Sequence, residues 1–149
     1  MPEAATKSVY LVDADSDPVI VRIDGRACFQ NSACLRDFIT EMLKRGKSRF
    51  VLDFQNCASM DSTFLGVLAG AALELRRTAP GASVVLARVG PRNLELIRNL
   101  GLHRLLTIDP GAPTAETAKC DQALECQPKS EIETARHVLE AHENLGSVD

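Results

Sequence analysis

Residues 49–68 read R-F-V-L-D-F-Q-N-C-A-S-M-D-S-T-F-L-G-V-L, and their order decides the architecture. Phe50, Val51, Leu52 and Phe54 form an aromatic and β-branched run of strand length. Phe64, Leu65, Val67 and Leu68 resume the apolar character at helical spacing, and the polar turn between them ends in Asp61 and Ser62. Both residue types are favoured at helix N-caps, so a helix is predicted to start there at the end of a strand. A serine hydroxyl in that position is expected to be exposed, rigidly held and close to the positive end of the helix dipole. Such a place suits an added phosphate.

Outward from this stretch the elements alternate. Val9–Val12 reads as a short strand, and the Asp-rich run from Asp13 to Pro18 as a turn. Val19, Val21 and Ile23 share one side of a second strand closed by Asp24-Gly25. Asn31 or Ser32 can cap a helix with the stripe Leu35, Phe38, Ile39, Met42 and Leu43, which Gly46 ends. The strand Phe50–Phe54 and a helix from about Ser62 to Arg77 follow, stopped by Pro80-Gly81. Ser83–Ala87 is a continuously apolar strand suited to a central position. Pro91 opens a helix through Leu94, Ile97 and Leu100 with Gly101 as its C-cap, and Leu105–Ile108 is the last strand. Residues 109–129 are rich in Pro, Gly, Ala and Thr and read as a loop. Ile132, Ala135, Val138 and Leu139 mark a final amphipathic helix over 131–146. The pattern implies an α/β fold with a mixed sheet covered by helices.

The motif M-D-S-T-F-L-G-V-L (Met60–Leu68) resembles the signature of STAS domains, in particular the bacterial anti-sigma factor antagonists. G-P-R-N-L-E-L-I-R-N-L-G-L-H-R-L-L-T-I (Gly90–Ile108) resembles the late helix and last strand of that family. The resemblance runs from about Val9 to Ile108. It implies a STAS domain over 1–110 with a sheet of four to five strands, a linker over 111–130, and an extra C-terminal helix over 131–146. In those antagonists the serine after the aspartate is phosphorylated by a partner that is both anti-sigma factor and GHKL-type serine kinase. Ser62 is the matching position, with Thr63 and Ser59 as fallback acceptors. Asp61, Ser62, Thr63, Phe64 and Gly66 are the implied partner contacts, and a serine phosphatase could reset the switch.

Composition sets bounds. At 149 residues with 45% hydrophobic and 25% charged residues, the chain can bury one proper core. A net charge of −3 gives no electrostatic footprint for nucleic acid. No apolar run approaches the roughly 18 residues of a membrane span, and the N-terminus lacks a signal-peptide pattern, so a cytoplasmic protein is expected. The five cysteines, an odd count without close C-x-x-C pairs, do not suggest a disulfide framework. Cys28 and Cys57 read as small buried hydrophobes. Cys120 and Cys126 are spaced too widely for zinc-finger usage, and His137 and His142, five apart on a helix, point roughly 140° away from each other. No metal and no cofactor are expected.

Every residue from Phe64 to Leu73 is apolar or glycine, so this helix is buried all round or offers a face to a partner. Gly66 and Gly70, one turn apart, leave a strip that another backbone can approach. Gly66 is expected to face the partner and Gly70 the core. An enzyme is not expected: Asp61, Ser62 and His103 lack a G-x-S-x-G elbow, and no Walker loop, G-x-G-x-x-G or H-E-x-x-H occurs. The sequence therefore reads as a binding protein that captures an anti-sigma factor when Ser62 is free and releases it when Ser62 carries a phosphate. The alternative is a STAS scaffold in a stress-signalling or lipid-transport assembly, without a phospho-switch.

Overall fold

The computed structural model describes residues 9–109, 120, 122–124, 126 and 129–148. The elements are β1 (Tyr10–Asp13), β2 (Val19–Ile23), β3 (Gly25–Ala27), α1 (Ser32–Lys44), β4 (Arg49–Asp53), β5 (Cys57–Met60) and α2 (Ser62–Thr78). They continue with β6 (Ser83–Ala87), α3 (Pro91–Asn99), a 3-10 turn (Leu102–Arg104), β7 (Thr107–Asp109), β8 (Gln122–Ala123) and α4 (Glu131–Gly146). Most of the segment read as a 111–130 linker lies outside the described residues.

The main sheet is mixed and runs β7-β6-β4-β2-β1-β8. Strands β2, β4, β6 and β7 are parallel, while β1 is antiparallel to both β2 and β8. The mixed sheet covered by helices is the architecture anticipated from the alternation of elements. The described residues make it six-stranded, because Gln122–Ala123 pairs with Leu11–Val12 at the edge. A two-residue strand shows no period, so periodicity could not reveal β8.

The central strands β4 and β6 bury Phe50, Leu52, Val84 and Leu86, as continuously apolar parallel strands do. Helices α1 and α2 pack side by side, and Leu35, Ile39, Met42, Leu65, Leu68 and Leu75 enter one core with these strands. Phe64 meets Phe54 edge to face at 6.2 Å, fastening the start of α2 to the end of β4.

The turn after β4 holds a buried charge. The Asp53 carboxylate is fully buried, accepts the Gln55 amide at 3.1 Å, and takes two hydrogen bonds from the Arg88 guanidinium, the Nε one at 3.0 Å. Arg88 sits just past β6 at φ +56, a conformation that residues with side chains adopt rarely. The pair thus ties together the ends of the neighbouring strands β4 and β6. Replacing Arg88 with Leu leaves a buried carboxylate unpaired and is expected to lower stability by about 3 kcal/mol. Arg45→Leu, which removes only the exposed pair with Glu41, should cost less than about 1 kcal/mol. Urea denaturation of the two variants checks the contrast.

Candidate functional site

The turn between Phe54 and Asp61 is not the simple polar turn expected. Cys57–Met60 forms strand β5, which pairs in parallel with β3 in a separate two-stranded ribbon. The ribbon delivers the chain to α2 at a fixed angle, and the Asp61 amide donates to the Ala27 carbonyl at 3.1 Å. Asp61 is the N-cap. One carboxylate oxygen accepts the Phe64 amide at 2.9 Å and the other the Phe29 amide at 2.8 Å. The capping work falls wholly on Asp61, so Ser62, the first residue of α2, keeps its hydroxyl for other partners.

Ser62 is exposed, as its place at the strand-to-helix junction implied. Of the other expected contacts, Asp61 is half-buried, while Thr63 is only 4% exposed and Phe64 fully buried in the core. The second residue of the helix turns inward, so Thr63 is not a surface acceptor. Ser59 on β5 is exposed. Phe29, 44% exposed beside Asp61, enlarges the surface in a way no periodic signal in the sequence marked.

Gly66 does not face open solvent. Helix α4 crosses α2 there so closely that a Cβ on Gly66 would stand 2.2 Å from the Ala141 carbonyl oxygen. Gly70, expected to face the core, also lies beneath α4, against Asn144. Both glycines thus make the strip that another backbone approaches, and that backbone is the chain's own. The Asn144 amide donates to the Gly66 carbonyl at 3.3 Å, and His142 Nε2 lies 3.1 Å from Ser62 Oγ.

Helix α4 docks by a face other than the expected stripe. Ile132 and Leu139 point to solvent at 67% and 62% exposure, while His137 and Ala141 are buried. A full capping box of Ser130 with Glu133 starts the helix, and its hydrogen bonds hold the Glu133 carboxyl below its ordinary range. His137 bridges to α1, with Nε2 at 2.7 Å from Ser32 Oγ and Nδ1 at 2.9 Å from Arg36 Nη1. A guanidinium can only donate, so Nδ1 is the acceptor and Nε2 carries the single proton of a neutral ring. Burial first, and the Arg36 charge second, push the imidazole below its usual range.

The cysteines correct another expectation. Cys34 on α1 is disulfide-bonded to Cys126, with Cα atoms 5.1 Å apart across 92 residues of sequence. That separation is why spacing could not reveal the bond. The cysteine count therefore gives no argument for a reducing compartment. Cys28 and Cys57 are free and half-buried, and Cys120 is buried beside β2, where burial pushes its thiol up to about 11. His137 and His142 serve α1 and Ser62 respectively, and His103 is exposed in the 3-10 turn. Among the described residues, no three His, Cys, Asp or Glu side chains converge as a metal site would require.

Residues 10–107 match the family described as Mlab, STAS domain. The chain belongs to the STAS domain family. Its fold is similar to that of SpoIIAA, an anti-sigma factor antagonist, in its unphosphorylated form: TM-score 0.59 and 17% identity, over 73% of this chain and 94% of that one. It is similar also to the Bacillus cell fate determinant SpoIIAA in the phosphorylated form, with TM-score 0.57 and 17% identity over 74% and 99% of the two chains. No helix among the described residues is long and apolar enough to cross a membrane.

Two outcomes follow for the STAS domain and its α4. Gly66→Ala places a Cβ against Ala141 backbone and should destabilise by about 1–3 kcal/mol. Gly90→Ala, with nothing within 4 Å, should change stability by less than about 1 kcal/mol, and thermal unfolding separates them. Because folding lowers the affinity of His137 for a proton, its contribution is complete above the ordinary imidazole range near 6.5 and declines as pH falls through it. Urea midpoints measured from about pH 7.5 to 5 should drop accordingly, and His137→Gln should flatten part of that drop.

Proposed function

We propose that this STAS protein is an anti-sigma factor antagonist switched at Ser62. Without phosphate it binds an anti-sigma factor that is also a GHKL-type serine kinase; phosphorylated on Ser62 it lets go, freeing that partner to act on its sigma factor. A serine phosphatase returns it to the binding form. The observation that carries this reading is the exposed Ser62 hydroxyl at the first position of α2, released from capping by Asp61. A phosphate there gains from the helix dipole, so the fold tolerates it, while a dianion beside Asp61 is costly to desolvate against a partner.

The protein acts by binding, with no chemistry of its own. Ser62 and His142 resemble two members of a hydrolytic triad, yet Asp61 spends both carboxylate oxygens on backbone amides and is not aimed at His142. A second reading, a STAS scaffold in a larger assembly without a phospho-switch, draws support from α4, which lies over the turn following Ser62.

Incubation with the cognate kinase and ATP decides between them. Mass spectrometry is expected to place phosphate on Ser62, and Ser62→Ala should bind the partner without accepting phosphate. Ser62→Asp should weaken binding at least about tenfold, about 1.4 kcal/mol, with folding stability changed by less than about 1 kcal/mol. Phosphate absent from Ser62, with binding unchanged in the Asp variant, leaves the scaffold reading.

A further inference from the structure

Helix α4 covers the strip beside Ser62 with a face built from small and polar groups. Ala141 lies over Gly66, Asn144 over Gly70 and His137 against Ser32, while Ile132 and Leu139 contribute nothing to the contact. Leu145 and Val148 pack against the core at the far end, so it is the N-terminal half of α4 whose hold depends on hydrogen bonds and on how tightly the helix is tethered.

The tether is the disulfide. Cys126 is four residues before the Ser130 cap, and four extended residues reach at most about 14 Å. While bonded to Cys34, it confines the start of α4 to the neighbourhood of α1. Once the bond is broken, the preceding backbone anchor among the described residues is Leu124, whose amide donates to the Tyr10 carbonyl at 3.0 Å, and the leash lengthens to about 22 Å. Cys126 is exposed and Cys34 half-buried, so the bond is open to attack from the Cys126 side.

We propose that the Cys34–Cys126 disulfide is a redox latch that holds α4 over the Ser62 end of α2, and that its reduction lets α4 leave and opens this surface to a partner. The co-reactant is a protein dithiol. Its thiolate attacks the Cys126 sulfur, and Cys34 departs as a thiolate and takes up a proton. The second thiol of the reductant then displaces Cys126, leaving two thiols on this chain and a disulfide on the reductant. Two electrons pass in all. What enters the opened surface rests on the proposed function; the opening itself does not.

Hydrogen exchange on the full chain tests the latch, read by mass spectrometry with and without dithiothreitol and in Cys126→Ser. A free helix of this length is marginal in water, so undocked α4 should lose its protection. Amides of 131–146 are expected to exchange at least about tenfold faster in the reduced protein and in the variant, while those of β4 and β6 stay protected and report an intact core. Equal protection of α4 in all three samples overturns the latch, as does detection of Cys34 and Cys126 as free thiols in air-oxidised protein. The partner's failure to bind either redox form overturns the proposed function alone.

Discussion

The Asp61 carboxylate is the constraint on which the candidate surface depends. Its two oxygens accept amides from two parts of the chain, Phe64 inside α2 and Phe29 in the loop before α1. Charge-assisted bonds of this kind are roughly twice as strong as neutral ones, and the negative charge sits at the favourable end of a helix. By satisfying both segments at once, Asp61 fixes the angle at which α2 leaves the β3–β5 ribbon. The exposure of Ser62, the inward turn of Thr63 and the edge-to-face contact of Phe64 with Phe54 all follow from that angle. An apolar side chain there could hold neither segment.

The second constraint is close approach. A helix that is wholly apolar or glycine from Phe64 to Leu73 must be covered, and the sheet and α1 cover only part of it. Glycine at positions 66 and 70 lowers helix propensity by roughly 1 kcal/mol each relative to alanine, a cost that makes sense only where a backbone must come near. Here the backbone of α4 does so, and the fit is tight enough at Ala141 that no larger residue at 66 is compatible with it.

Much of this was legible in the sequence. The strand at Phe50–Phe54, the helix from Ser62, the apolar strand at Ser83–Ala87 and the helix from Pro91 carry strong periodicity and recognisable caps, and they stand where the pattern put them. The placement of Ser62 was legible for the same reason, since Asp-Ser after a strand is local information. What could not be read is non-local. Strands β3 and β5 are short and of mixed character, β8 is two residues long, and Cys34–Cys126 joins positions that only the folded chain brings together. For α4 the pattern misled: Ile132, Ala135 and Leu139 form the more apolar stripe, but Gly66 admits Ala141 and α1 takes His137, so steric fit and hydrogen bonding prevailed over that stripe.

That outcome bears on how such a surface can be regulated. A helix docked by a large apolar face would be held permanently, because each buried aliphatic side chain adds about 1.5–3 kcal/mol. Helix α4 is docked through His137, Asn144, a glycine contact and the partly buried Leu145, each contributing modestly. His137 must stay neutral to accept from Arg36, and His142 stands within hydrogen-bond distance of the Ser62 hydroxyl. Under the proposed switch, a phosphate on that hydroxyl would meet the His142 imidazole of α4 before it met any incoming protein. The hydroxyl at which the proposed switch would act is therefore one that α4 already contacts, so the docking of α4 and the availability of Ser62 are coupled through a single group.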